Sequence, residues 1–160
     1  LNFELHKAIK GVLSMINIFV PCTGDIVDVT TINDEVFKNK MLGDGMAVIP
    51  NGSLVFAPID GKIVSIFPSN HQFTMKTDDG LELLIHIGID TYDVKKRFLV
   101  RLVEENQYVM RGTPVIKAKF NKLRAKGYDT SVIVVVLNHP IFDKTKMSKS
   151  ESIDTVLFSI

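Results

Sequence analysis

The chain has 160 residues, 46% of them hydrophobic and 23% charged, a balance that supports a single globular domain with a buried core rather than a disordered chain. A formal net charge of +1, without a basic stripe interleaved with aromatics, argues against nucleic acid as a partner, and no apolar run approaches the roughly 18 residues of a membrane span. One cysteine, Cys22, excludes an intrachain disulfide and suits the cytoplasm; its plainest role is that of a small buried hydrophobe.

The sequence opens at Leu1 rather than Met, as expected of a segment cut from a longer polypeptide. Leu5, Ile9, Val12, Leu13 and Ile16 recur at helical spacing, so residues 1–15 are expected to form an amphipathic helix or linker. A linker end, a membrane-surface helix and a packing helix all fit, and Gly11 favours the linker. Val12–Val20 does not read as a signal peptide, because Ser14 and Asn17 break it and no small-residue cleavage site follows.

From Ile16 the texture changes to short β-rich runs cut by Pro and Gly, and residues 16–160 are expected to form one domain. Strands are predicted at Ile16–Val20, Asp25–Thr30, Met46–Ile49, Leu54–Ala57, Lys62–Phe67, Gln72–Thr77, Glu82–Ile87, Thr113–Ala118, Ser131–Leu137 and Thr155–Ser159. Turns fall at Pro21–Gly24, Pro50–Gly52, Pro58–Gly61, Asp78–Gly80 and Arg111-Gly112. Phe120–Lys126, stopped by Gly127, reads as a short helix. Many short strands with frequent turns predict an all-β fold, an antiparallel sandwich or barrel with one or two short helices. A weak repeat supports duplication: Pro21-Cys22-Thr23-Gly24-Asp25-Ile26-Val27 echoes Pro58-Ile59-Asp60-Gly61-Lys62-Ile63-Val64, and the same offset carries Gly43 onto Gly80.

The chemistry concentrates at His71 and His86, which flank a predicted hairpin. A two-residue loop at Asp78-Asp79 sets His71 opposite His86, and a loop at Asp79-Gly80 sets His86 opposite Phe73. Both registers place the two imidazoles on one sheet face, since strand side chains alternate with period two. Only a three-residue loop separates them. Phe73 and Leu84 are expected to share the histidine face, and Gly88 leaves room beside His86. Two neighbouring imidazoles can share a proton, a metal or a phosphoryl group, and a neutral imidazole nitrogen is a competent nucleophile. The rival is a metal-dependent hydrolase with zinc on His71, His86 and a carboxylate such as Asp90. Against it, no H-x-H or H-E-x-x-H occurs, and neither His6 nor His139 has a spacing that joins it to the pair.

Leu83-Leu84-Ile85-His86-Ile87-Gly88-Ile89-Asp90-Thr91 closely resembles the active-site signature of glucose-type enzyme IIA domains of the bacterial sugar phosphotransferase system. Pro21-Cys22-Thr23-Gly24, Val36-Phe37, Met41-Leu42-Gly43-Asp44-Gly45, Ala57-Pro58-Ile59-Asp60-Gly61 and Ser69-Asn70-His71 agree in order, from about Ile18 to Asn138. The resemblance implies a duplicated hybrid-type antiparallel fold. It implies a cytoplasmic phosphocarrier that accepts a phosphoryl group from the histidine protein HPr and passes it to a IIB domain, with no bound cofactor, although His71 and His86 could take up adventitious zinc. It further implies His86 as phosphoacceptor through Nε2, His71 as the partner that stabilises the phosphoryl group, and Ser69 bonding His71. Gly88 would orient His86 through its backbone, and Asp90 would line the pocket. Val36, Phe37, Met41, Leu42, Phe67 and Leu84 would form an apolar docking ring. The Tyr92–Phe98 segment departs from the family's glycine-bearing loop and carries Lys95, Lys96 and Arg97, which keeps open a regulatory module of the same fold that binds partners without transfer. The family's fusions also leave room for tethering to a membrane IIC domain.

Overall fold

The structure is a computed structural model that describes residues 15–160; the helix or linker expected at the N-terminus falls outside the described residues. Among the described residues fourteen strands and two short helices follow in order. The first half holds β1 (Asn17–Phe19), β2 (Gly24–Asp28), α1 (Glu35–Lys38), β3 (Gly45–Pro50), β4 (Leu54–Phe56), β5 (Gly61–Ile66), β6 (Gln72–Lys76) and β7 (Glu82–Ile87). The second holds β8 (Leu99–Arg101), β9 (Tyr108–Val109), β10 (Pro114–Ala118), α2 (Phe120–Ala125), β11 (Val132–Val136), β12 (Asp143–Lys144), β13 (Lys149–Ser150) and β14 (Val156–Ser159). Single 3-10 turns at Val29–Thr31 and Lys96–Phe98 complete the set.

One eight-stranded sheet runs β13-β2-β3-β11-β7-β6-β5-β9, and two three-stranded sheets run β1-β14-β12 and β4-β10-β8. The pairings are antiparallel. The large sheet ends at β13 and β9, so the architecture is an open sandwich and not a closed barrel. All ten strands expected from the sequence are present, with ends shifted by a residue or so. The four that were not expected, β8, β9, β12 and β13, are only two or three residues long and carry no alternation to read.

The duplication is written into the hydrogen bonds. Strands β1, β2 and β3 correspond, at the constant offset of the Pro21 and Pro58 motifs, to β4, β5 and β7. Phe19 N–H donates to Pro58 O at 2.9 Å, and the equivalent Phe56 N–H donates to Pro21 O at 2.7 Å, a reciprocal pair between the two copies. Between the second and third repeated strands the copies diverge. The first inserts the Val29–Thr31 turn and α1; the second inserts β6.

Strand β11 lies between β3 and β7 and is buried on both faces, as its unbroken Val132-Ile133-Val134-Val135-Val136 run requires. Val132, Val134 and Val136 point into the main core with Leu83, Ile85, Ile87, Phe73 and Met75. Ile133 and Val135 belong to a second cluster on the other face, with Ala47, Leu84, Val29, Ile32 and Phe37. The first copy's insertion therefore roofs the outer face of the sheet. Asp34 caps α1 by accepting from Val36 N–H at 2.9 Å and Phe37 N–H at 3.3 Å, which fixes where the roof begins.

Candidate functional site: a perpendicular histidine pair

Strand β7 sends Leu83, Ile85 and Ile87 inward and turns Leu84 and His86 to the roofed face, so His86 sits at the edge of the second cluster, opposite Ile133 of β11. The hairpin before it is closed by a three-residue loop. Thr77 N–H donates to Leu81 O at 3.0 Å, Gly80 adopts φ 87°, and the ladder pairs Gln72 with His86, Phe73 with Ile85 and Thr74 with Leu84. Both two-residue registers expected from the sequence are thus replaced by the register that alternation alone would make fatal to the pair. Phe73, expected on the histidine face, is instead in the main core, while Leu84 keeps the histidine face.

The imidazoles meet nonetheless, with ring centroids 5.1 Å apart and planes at 89°. His71 is not part of β6, which begins at Gln72. It closes a tight turn in which Phe67 N–H donates to Gln72 O at 2.8 Å, Asn70 N–H donates to Phe67 O at 2.7 Å, and Asn70 adopts φ 62°. Inside that turn the pleat no longer dictates direction, and the left-handed Asn70 swings His71 over the strand end. Asn70 is held from both ends, its Nδ2 donating to Leu99 O and its Oδ1 accepting from Arg101 Nε, each at 2.9 Å.

The surroundings of the rings are mixed. Ser69 Oγ lies 2.5 Å from His71 Nδ1. His86 Nδ1 lies 3.0 Å from Gln72 Oε1, its directly opposed neighbour on the ladder. The Gly88 amide donates to Ser131 O at 2.8 Å. Phe37 packs on His86 at 4.9 Å between centroids, and Phe67 meets His71 edge-on at 4.8 Å. Burial pushes His86 down from 6.5 to about 4, the facing His71 pushes the same way, and the Asp34 carboxylate partly opposes them. Burial also lowers His71. Both rings are therefore neutral at pH 7, with a lone pair to offer.

Of the expected docking ring, Met41, Phe67, Leu42 and Val36 are exposed by 69, 50, 42 and 39%, and Phe67 is the one of the four that meets a histidine ring. Phe37 and Leu84, expected in the same ring, are each only 6% exposed. They are the floor, because Phe37 faces inward from α1 and Leu84 lies under the roof. Asp90 is exposed, adopts φ 57°, and lines a groove with Asn33, Ile89, Lys126 and Asp129. Among the described residues it does not join the histidines as a third ligand, and no group of three His, Cys, Asp or Glu side chains is placed to hold a metal. Gln72, Asp34 and the Asn70–Arg101 brace went unnoticed in the sequence. Gln72 alone had a readable signal, its place opposite His86 once the loop is counted as three residues.

Fold and site together define a class: a β-sandwich domain that presents two neutral imidazoles, face to edge, between Phe37 and Phe67. Residues 16–142 match the family model described as phosphoenolpyruvate-dependent sugar phosphotransferase system, EIIA 1, and the chain belongs to that family. It is 39% identical over 161 residues to the glucose-specific EIIA component of Buchnera aphidicola subsp. Baizongia pistaciae, covering 99% of this chain and 96% of that one. It is 38% identical over 121 residues to the glucoside-specific EIICBA component of Staphylococcus carnosus, covering 76% of this chain but 18% of that longer protein. Among solved structures, glucose permease IIA from Mycoplasma capricolum superposes with a TM-score of 0.85 at 28% identity, covering 91% of this chain and 96% of that one. Among the described residues no helix is long and apolar enough to cross a membrane.

Proposed function

We propose that this chain is a cytoplasmic phosphohistidine carrier that accepts a phosphoryl group from HPr on His86 Nε2 and passes it to a IIB domain during sugar uptake. The observation that carries the reading is the perpendicular contact of His71 and His86, both neutral, with the exposed Phe67 packed edge-on against His71. In this reading Nε2 attacks phosphorus in line. The new N–P bond forms as the donor's N–P bond breaks, and the electron pair returns to the donor ring. Ser69 O–H donates to His71 Nδ1, which leaves Nε2–H of His71 to meet the phosphoryl oxygens as charge builds on them. Met41, Leu42, Phe67 and Val36 exclude water when a partner docks. In this reading the same apolar residues serve donor and acceptor in turn, since both partners must reach the one nucleophile. The fused EIICBA relative supports a IIB domain as acceptor and a IIC domain as the place where the carrier can be tethered.

Labelled phosphoenolpyruvate supplied through enzyme I and HPr tests the reading. Wild type is expected to take up label on His86, His86→Ala none, and His71→Gln is expected to take up label but deliver it slowly to IIB. Label in His86→Ala at the wild-type level would place the acceptor elsewhere.

A further inference from the structure

We infer that Gln72 is the positioning residue that selects the reactive tautomer of His86. The inference rests on the phosphocarrier reading for its consequence but not for its geometry. Gln72 is the residue directly across the ladder from His86, and its side-chain oxygen meets Nδ1 at 3.0 Å. An amide oxygen only accepts, so this contact requires Nδ1 to carry the ring proton and leaves Nε2 with its lone pair. Among the described residues Nε2 makes no hydrogen bond, and the half-buried ring is otherwise hemmed by Phe37 and His71. The opposite tautomer would put a proton where the phosphorus must bond and set a bare nitrogen against the amide oxygen.

The transfer then needs no proton movement. Nε2 supplies the electron pair to phosphorus, the donor nitrogen leaves with the pair of the broken bond, and the His86 ring keeps its Nδ1 proton. The ring gains positive charge in that step, and the Gln72 oxygen lies where it stabilises this charge. The bond strengthens as the reaction proceeds, which is the condition for it to lower the barrier and not merely hold the ground state. The three-residue loop is what makes this arrangement: either two-residue loop would have set His71 or Phe73 in the place of Gln72.

The test is nitrogen-proton correlation spectroscopy on histidine-labelled protein at pH 8, run beside the transfer assay. Wild type is expected to show His86 protonated on Nδ1. Gln72→Met, similar in shape and without the acceptor, is expected to shift the ring toward the Nε2–H form and slow phosphoryl acceptance by about two- to tenfold, the scale of one neutral hydrogen bond. Gln72→Glu, an obligate acceptor, is expected to restore the Nδ1–H form and much of the rate, with an HPr concentration dependence like that of wild type. A wild-type tautomer in Gln72→Met, or a Gln72→Glu ring protonated on Nε2, would overturn the role of Gln72. Label absent from wild-type His86 would overturn the phosphocarrier reading and leave the tautomer result standing, so the two failures are distinguishable.

Discussion

Replacing His86 by Gln should remove a defined part of the protein's acid sensitivity. Folding holds the ring at about 4 against 6.5 in an unfolded chain, chiefly by burial and then by the facing His71. Above pH 6.5 both states carry a neutral ring and His86 adds no pH dependence. As pH falls through 6.5 the unfolded chain binds a proton that the folded chain refuses, so stability present at higher pH is lost until the folded ring protonates near 4. The whole interval corresponds to roughly 3 kcal/mol, and by pH 5 about 2 kcal/mol of it should be gone. That is a large fraction of a typical domain's 5–15 kcal/mol, so it is measurable. Urea unfolding of wild type and His86→Gln at pH 7.5 and pH 5 isolates it. Wild type should lose about 2 kcal/mol more than the variant between the two pH values. The carboxyl groups of Asp28 and Asp44 intrude little in this window. Burial works to raise them, but their hydrogen bonds to Lys144 prevail and hold both below 3.8. Equal losses in the two proteins, or a His86 midpoint near 6.5 by proton NMR, would refute the burial argument.

Gly24→Ala should destabilise the protein by about 2 kcal/mol or more, since the backbone sits at φ 146° and a Cβ would fall 1.9 Å from Ile49 O; thermal melts check it, with Gly52→Ala, which meets nothing within 4 Å, as the mild control. Lys144 Nζ reaches Asp28 and Asp44 at 2.6 Å each, so Lys144→Met should cost about 1 kcal/mol or more at pH 7 and less in high salt, read by urea titration in a salt series. Phe73→Ala, at a wholly buried position, should cost about 3–5 kcal/mol by the same titration. Met41→Ser with Leu42→Ser should leave the melting temperature nearly unchanged, because both side chains are exposed, yet raise the HPr concentration needed for half-maximal transfer if they meet the partner as proposed.

The sequence by itself determined the antiparallel fold and its duplicated halves. β7 and β11 are long enough for their apolar runs to be read, and the Pro–Gly motifs at Pro21 and Pro58 mark the two copies before any contact is known. It also singled out His71 and His86. It could not determine how they meet, since the alternation rule applied to His71 holds only inside a strand and His71 lies just outside one. Its direction follows from Asn70 in the left-handed region, and that conformation is secured by Leu99 and Arg101, far along the chain. Likewise Phe37 and Leu84 are buried, at 6% exposure each, only because the first copy's insertion folds back over the sheet. Local periodicity is a property of neighbouring residues, and the sequence carries it openly. Which side chains close over a strand end depends on segments brought together from distant parts of the chain, and that is settled by packing and not by local pattern.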